Sequence, residues 1–249
     1  QDKNIELHIR KSAYQIDPNK QKVELNGGSL HNHHLVLPTC SKTRELPDYI
    51  GLKIKNLFTM RDLTDANSIE PFIKSGMRLL IVGGGYIGLE AAATARKFGV
   101  DVTLVEIEER ILKRVAAKET SDYIRSLHIS KGVKIKESTG LDKLEILDNK
   151  VQSATLTDGS NIKVDFVIVG IGILPNTELA ESANLEINNG IFVNEKCQTS
   201  IANIYAAGDC TSFMHKSNLV RLESVGNAID QAAIVAQNIM QKNQSYIPK

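Results

Sequence analysis

The sequence is short of several things, and each shortage excludes something. Cysteine is scarce: there are three, Cys40, Cys197 and Cys210, widely spaced and odd in number. They form no C-x-x-C pair, and with the six histidines they make no metal-ligand cluster. A disulfide scaffold and a zinc module are thereby disfavoured, and reduced thiols in a cytoplasmic setting are the simplest reading. His31, His33 and His34 imitate a metal tract. Alternation on a strand, however, would put His31 and His33 on one face and His34 on the other. Neither sign of charge is in surplus, with 30 basic and 29 acidic residues and a net charge of +1. That balance leaves no electrostatic footprint for nucleic acid or for an anionic membrane. The longest apolar run, Phe166–Leu174, has nine residues, too few to span a bilayer. No Ser/His/Asp set and no paired carboxylates suggest hydrolysis. No signal peptide is visible, and because the chain starts at Gln1 a removed segment would leave no trace.

What is present suits a large α/β core. With 249 residues, 42% hydrophobic, the chain suffices for one large domain or two smaller ones. Its centre reads as a βαβ unit. Arg78–Val82 is a short apolar run, hence a buried strand. Leu89–Phe98 is rich in helix formers, and Gly99 suits the left-handed residue that ends a helix. Asp101–Val105 is a second strand, closed by Glu106. A further helical pattern runs from about Lys118 to Lys131 and stops at Gly132.

From Val133 the period changes to two. Val133–Lys136, Lys143–Leu147 and Val151–Thr157 read as strands, with turns at Asp148-Asn149 and Asp158-Gly159. Phe166–Val169 is then a buried strand entering Gly170-Ile171-Gly172. The N-terminal segment repeats this plan. Glu6–Ile9, Ala13–Ile16 and Lys22–Leu25 alternate, and the buried strand Leu35–Leu37 runs into Pro38-Thr39-Cys40. Overlaying Leu35 on Val167 sets Cys40 opposite Gly172 and His33 opposite Asp165. This reads as a duplication of two nucleotide-binding units, the alternative being a small β insertion that merely resembles the other. Carrying the Gly83-to-Gly172 spacing back from Cys40 lands upstream of Gln1, so the first copy's glycine fingerprint is expected outside this chain. Toward the C-terminus come Ile191–Val193, the strand Asn203–Ala207 ending in Gly208-Asp209-Cys210, and a helix from about Glu223 to Gln241. Val225, Ala228, Ile229, Ala232, Val235, Ala236 and Ile239 give that helix a continuous apolar face.

The chemistry is clearest at Gly83-Gly84-Gly85-Tyr86-Ile87-Gly88, a G-x-G-x-x-G between strand and helix. Gly83 makes the tight turn, Gly85 lets a pyrophosphate approach the backbone, and Gly88 lets the helix pack on the strand. The helix N-terminus adds free N–H groups and a partial positive charge. Glu106, at the end of the second strand, is placed to accept from both ribose hydroxyls. A 2′-phosphate there would meet a like charge, which favours NADH over NADPH. Arg110, one turn on, is either the residue that would rescue NADP binding or a solvated arginine.

The runs GGGYIGLEAAATARKFGVDVTLVE, VGIGILPNTELA, TSIANIYAAGDC and RLESVGNAIDQA, in that order, resemble the ferredoxin/rubredoxin reductase family of flavoproteins. That family lies within the pyridine nucleotide-disulfide oxidoreductase superfamily, and the likeness covers nearly the whole chain. It implies duplicated Rossmann-like FAD- and NAD(P)-binding domains of α/β class, with a central parallel sheet, helices and a small antiparallel β layer. The implied division is 1–72 and 181–249 for the FAD-binding part and 73–180 for NAD(H). The implied reaction carries hydride from NADH to FAD, then electrons to a small iron–sulfur protein of ferredoxin or rubredoxin type. Asp209 would hold the ribityl chain of FAD, the backbone of Val225 would reach the flavin pyrimidine, and Arg61, Ala13 and Thr39 would be further flavin contacts. Glu90 would pair with a lysine outside this chain, Tyr86 would cover the nicotinamide pocket, and Gly170, Ile171 and Gly172 would border the nicotinamide ribose.

Departures from the family pattern keep other readings open. Pro38-Thr39-Cys40 stands where the family has A-T-G, so a turn needing positive φ would strain Cys40. His33 replaces the family's aspartate. The N-terminal flavin fingerprint and the C-terminal domain of the family are missing from the chain. A disulfide reductase or NADH oxidase of the same superfamily remains open, as does a nucleotide-binding fragment without turnover. Arg110, Lys113 and Arg114 form either a docking patch for an acidic ferredoxin or a solvated basic stretch.

Overall fold

The computed structural model describes residues 4–49 and 52–248. They fall into two compact units, Gln1–Lys42 with Leu174–Lys249, and Thr43–Ile173. The class is the expected one: α/β with parallel Rossmann-type strands.

In the unit 43–173 a parallel sheet runs in the order Leu57–Thr59, Phe166–Val169, Arg78–Val82, Asp101–Val105, Lys134–Lys136. Phe166–Val169 is apolar throughout and Arg78–Val82 is apolar after Arg78, because both faces are covered. Leu79, Ile81, Leu104, Phe166 and Ile168 pack with Leu89, Ala92 and Ala95 of the helix Tyr86–Lys97. Their neighbours Leu80, Val82, Val105, Val167 and Val169 point the other way. There they meet Leu144, Val151, Ala154 and Leu156 of the antiparallel layer Leu141–Leu147, Lys150–Leu156, Asn161–Lys163. The period of two is thus intact inside strands that read as uninterrupted apolar runs. Buried Asn56 fastens the two layers, donating from Nδ2 to the carbonyls of Val151 (2.9 Å) and Asp165 (2.8 Å) and accepting the Val151 N–H (2.7 Å).

In the other unit, Leu35–Leu37 pairs in parallel with Ile204–Ala206. Ala13–Asp17, Lys22–Leu25 and Gly28–His31 form an antiparallel layer. Ile191–Phe192, Thr211–His215 and Asn218–Val220 make a third small sheet, and the helix Val225–Ile239 follows. Ile16, Leu37, Ile191, Ile204 and Phe213 share its core with Cys197 and Cys210.

Several local expectations fail for identifiable reasons. Glu6–Ile9 is not a strand; Ile5, Leu7 and Ile9 are all exposed, and alternation without a partner strand does not hold a segment extended. His33 and His34 lie in a bend, not on a strand. The chain divides into compact units at 43 and 173, where Leu57–Thr59 joins the sheet through Phe166–Val169; the division at 73 and 181 concerns cofactor binding, not compactness. The helix Leu63–Ile69, unforeseen, starts at a capping box in which Asp62 accepts from the Thr64 and Asp65 N–H groups. The C-terminal helix buries Asn227, Gln231 and Val235 and leaves Val225 77% and Ile229 62% exposed. The packed face therefore shares only Val235 and Ile239 with the apolar face read from the spacing.

Two local features carry testable energetics. Asp165, at the head of the strand Phe166–Val169, accepts from the Arg78 N–H (2.8 Å), Nε (3.0 Å) and Nη2 (2.7 Å). This charge-assisted fork locks two neighbouring strands at their starts. The Arg78 guanidinium holds the Asp165 carboxyl below the usual carboxylate range. A carboxyl titrating lower in the fold than in the unfolded chain stabilises fully above about pH 4, and that contribution disappears as the pH falls through the folded value. Asp165→Asn should cost about 1–2 kcal/mol at neutral pH, and the gap from wild type should close in melts taken below about pH 4. Cys40 has φ +58°, the left-handed region its counterpart Gly172 occupies at +106°. A side chain there costs of order 1 kcal/mol. Cys40→Gly should therefore raise stability by up to about 1 kcal/mol, whereas β-branched Cys40→Val should lower it by about 1–2 kcal/mol in thermal or urea unfolding.

Candidate functional site

Parallel strands present a ligand edge at their carboxyl ends. In the unit 43–173 that edge is built by Gly83, Glu106 and Gly170, each one residue past its strand. The Gly83 N–H donates to the Val105 carbonyl (2.9 Å) and the Gly170 N–H to the Val82 carbonyl (2.8 Å), so three strand ends are cross-tied. Gly83 has φ +108°, and a Cβ on it would lie 2.4 Å from the Gly170 oxygen. A Cβ on Gly88 would lie 2.1 Å from the Gly83 oxygen. Only glycine lets the strand, the helix and the neighbouring strand end approach so closely. Gly85 differs, because a Cβ there would meet nothing within 4 Å. Its open side lies at the N-terminus of Tyr86–Lys97, where no side chain caps the helix. First-turn N–H groups left uncapped beside open space form a cradle for a pyrophosphate.

Glu106 completes the edge. Its Oε2 accepts the Gly84 N–H (2.7 Å) and its Oε1 accepts the Glu108 N–H (2.9 Å). A carboxylate has roughly four lone-pair positions, so two remain for two hydroxyl donors, the count a ribose 2′,3′-diol supplies. Arg110 does not turn toward the carboxylate. Its Nη1 donates to Ser121 Oγ (2.5 Å) and its Nη2 to the Lys113 carbonyl (3.4 Å). Ser121 is fully buried and donates to the Ile111 carbonyl (2.8 Å), so Arg110 fastens the loop after Glu106 to the next helix. Lys113 pairs with Glu108 (2.8 Å) and Glu109 (3.7 Å). With Lys113 ion-paired, the stretch Arg110, Lys113, Arg114 presents less net charge than its sequence suggests.

Tyr86 and Glu90 lie four residues apart on the exposed side of the same helix, and Ile87 is half-buried between them. Gly170, Ile171 and Gly172 follow their strand directly, and the Gly172 carbonyl accepts the Arg44 N–H (2.9 Å). Arg61 is exposed at the start of Leu63–Ile69, its N–H donating to Asp65 Oδ2 (2.6 Å). It belongs to the unit 43–173, whereas the other proposed flavin contacts belong to the other unit.

In that other unit, Asp209 is half-buried just past the strand Ile204–Ala206, after Gly208 at φ +89°. Val225 is the exposed first residue of its helix, capped by Ser224, whose Oγ accepts the Asn227 N–H (3.2 Å). A Cβ on Gly226 would meet nothing within 4 Å, so a flat ring has room to approach that helix start. Ala13 is exposed at an irregularity in its strand pairing. Thr39 is already engaged: its Oγ1 donates to the Asn176 carbonyl (2.7 Å), and Asn176 Nδ2 donates to the Thr39 carbonyl (2.8 Å). Sequence reasoning missed Asn176 and Gln231, which hold these loops; the one available signal was a carboxamide beside a turn or within an apolar helix.

Among the described residues no group of three potential metal ligands forms and no helix is long and apolar enough to cross a membrane. Cys197 and Cys210 are buried and Cys40 is exposed, and none of the three forms a disulfide among the described residues. Burial pushes the Cys197 thiol up to about 12 and raises that of Cys210 as well, so neither is a ready nucleophile.

Known proteins extend the picture. Residues 1–232 match the family model described as pyridine nucleotide-disulphide oxidoreductase. Rhodocoxin reductase of Rhodococcus erythropolis is 38% identical over 98% of this chain and 58% of its own length. Putidaredoxin reductase of Pseudomonas putida is 40% identical over 94% of this chain and 57% of its own. The crystal structure of the covalent putidaredoxin reductase–putidaredoxin complex superposes with a TM-score of 0.89 at 38% identity, covering 96% of this chain and 58% of that one. The chain thus spans a little over half the length of these relatives. Glycine cradle, acid-terminated second strand and family match agree: the chain belongs to the pyridine nucleotide-disulphide oxidoreductase family.

Proposed function

We propose that the protein carrying this chain is an NADH-dependent flavoprotein reductase that delivers electrons to a small iron–sulfur protein of ferredoxin or rubredoxin type. FAD and NAD(H) are the cofactors of the family, and the relatives named above include reductases of such redox partners. The observation that carries the nucleotide assignment is Glu106, its carboxylate aimed by two backbone N–H groups at the mouth of the glycine cradle.

In this reading Gly83, Gly85, Ile87 and Gly88 line the pyrophosphate cradle, and Glu106 accepts from the adenosine ribose. Gly170, Ile171 and Gly172 border the nicotinamide ribose. Tyr86 shields the nicotinamide, and Glu90 orients a basic group from outside the chain. Asp209 accepts from the ribityl hydroxyls, Val225 offers its backbone to the pyrimidine edge, and Ala13, Thr39 and Arg61 add contacts. The start of the helix Val225–Ile239 favours negative charge there. FAD, when bound, supplies the conversion between a two-electron hydride donor and one-electron acceptors. The chain's own groups bind and orient. The three free thiols suit the cytoplasm, and because two are buried, dithiol chemistry would need cysteines outside this chain.

NADH added anaerobically to the full-length, FAD-loaded protein should bleach the flavin band, and an iron–sulfur acceptor should restore it; an unbleached band sinks the assignment. Gly88→Ala, whose new methyl would collide with the Gly83 carbonyl, should weaken NADH binding about tenfold or more in direct titration and leave FAD affinity unchanged. Glu106→Gln places an N–H against a backbone donor and removes the charge. It should weaken NADH binding about tenfold and reduce the preference for NADH over NADPH by a similar factor.

A further inference from the structure

We propose that Gln231 is the positioning residue of the Gly208-Asp209 turn, and that Tyr246, through Asn227, fixes Gln231 in turn. The inference rests on the reading above that this unit receives FAD, and it assigns the aim of the ribityl-binding carboxylate to a buried carboxamide.

The C-terminal helix packs through Asn227, Gln231 and Val235, one residue per turn. Gln231 is 0% exposed, and a carboxamide in that position is costly unless its oxygen is satisfied. Gln231 Oε1 accepts the Gly208 N–H (2.7 Å), with Thr211 Oγ1 (3.0 Å) and Asn227 Nδ2 (3.4 Å) also in reach. The orientation of the amide is forced, because the Gly208 N–H can only donate and a flipped amide would oppose it with another donor. The far side of the turn is tied as well: the Gly208 carbonyl accepts the Thr211 N–H (2.9 Å). With Gly208 gripped on both its N–H and its C=O, the backbone that carries Asp209 has one position.

The grip continues away from the turn. Asn227 Nδ2 donates to the Leu222 carbonyl (3.0 Å), and Asn227 Oδ1 accepts the Tyr246 hydroxyl (2.6 Å). Tyr246 is held by its own N–H to the Glu195 carbonyl (2.6 Å) and by an edge-on contact with Phe213 at 5.3 Å. A chain of side-chain hydrogen bonds therefore runs from the C-terminal segment to the turn. Gln231 Nε2 has no partner. Only the oxygen of the carboxamide is used, which makes the acceptor the property to test.

The test uses the full-length protein, with FAD affinity read from quenching of flavin fluorescence and NADH affinity as an internal control on the other unit. Gln231→Leu keeps the bulk and removes the acceptor. It should weaken FAD about tenfold or more and leave NADH within about twofold. Gln231→Glu restores the acceptor and, at pH 5.5 where a buried acid is protonated and carries no charge, should recover FAD affinity to within about threefold; a Gln231→Glu protein no better than Gln231→Leu at that pH overturns the proposal. A folded Gln231→Leu protein with wild-type FAD affinity overturns the proposal. If that variant does not fold, Tyr246→Phe, which removes a single hydroxyl, carries the test: about threefold weaker FAD supports the relay, and wild-type affinity overturns it. Wild-type protein that takes no FAD overturns the functional reading and this inference with it, whereas a wild type that binds beside variants that bind equally overturns the inference alone.

Discussion

The unit 43–173 depends on three backbones meeting without side chains between them. Gly83, Gly88 and Gly170 belong to a strand end, a helix start and a neighbouring strand end, and a methyl group on Gly83 or Gly88 would lie within 2.4 Å of a carbonyl oxygen. This contact lowers the helix Tyr86–Lys97 onto the sheet, so Ala92 and Ala95 become fully or almost fully buried. It also leaves the helix N-terminus over the strand ends with Gly85 facing open space. The Gly84 peptide is then pinned on both sides, by Glu106 at its N–H and by the Leu112 N–H at its carbonyl. One steric constraint thus sets the packing of the helix, the opening for a pyrophosphate and the placement of the ribose acceptor.

Glu106 shows why such a site is assembled from backbone. A carboxylate on a flexible arm would lose rotamer freedom each time it met a ribose. Here two N–H donors have already fixed it, and the Glu106 N–H itself is tied to the Lys136 carbonyl (2.9 Å). Arg110, one turn on, is committed to buried Ser121, so this cation braces the loop instead of neutralising the acid. An acid held this way accepts hydroxyls and repels a phosphate.

These features differ in how legible they are in the sequence. The βαβ core is readable because glycine spacing, helix formers and apolar strands agree on one answer at each level. Two strands of each antiparallel layer follow from period-two runs and their turns, whereas the third, Gly28–His31 or Asn161–Lys163, is too short to show a period. Glu6–Ile9 satisfies the same pattern and still fails, since a strand exists only through a partner, which a local pattern does not supply. The boundary near 43 is illegible for a related reason: Leu57–Thr59 joins the second sheet by a pairing remote in sequence. Cys40 reads as a strained turn because its counterpart is a glycine, and its backbone has the positive φ that comparison demands.

The C-terminal helix shows where pattern reading gives way to chemistry. Its apolar spacing selects a face that includes exposed Val225 and Ile229, yet the packed face carries Asn227 and Gln231. Hydrophobicity alone would bury Val225 and Ile229 before Asn227 and Gln231. What opposes that order is the Gly208 N–H, a donor in a buried turn that no strand neighbour satisfies and that needs an acceptor. An unsatisfied buried donor costs about 1–3 kcal/mol, comparable to what burying one side chain such as Val225 would gain, so the carboxamide offsets part of the apolar surface the helix leaves exposed. The helix is thus held both by apolar contacts of Val235, Ile234 and Ile239 and by the turn it supports, which carries Asp209. The burial of Asn227 and Gln231, which the apolar spacing does not select, is accounted for once the hydrogen bonds of the neighbouring turn are counted.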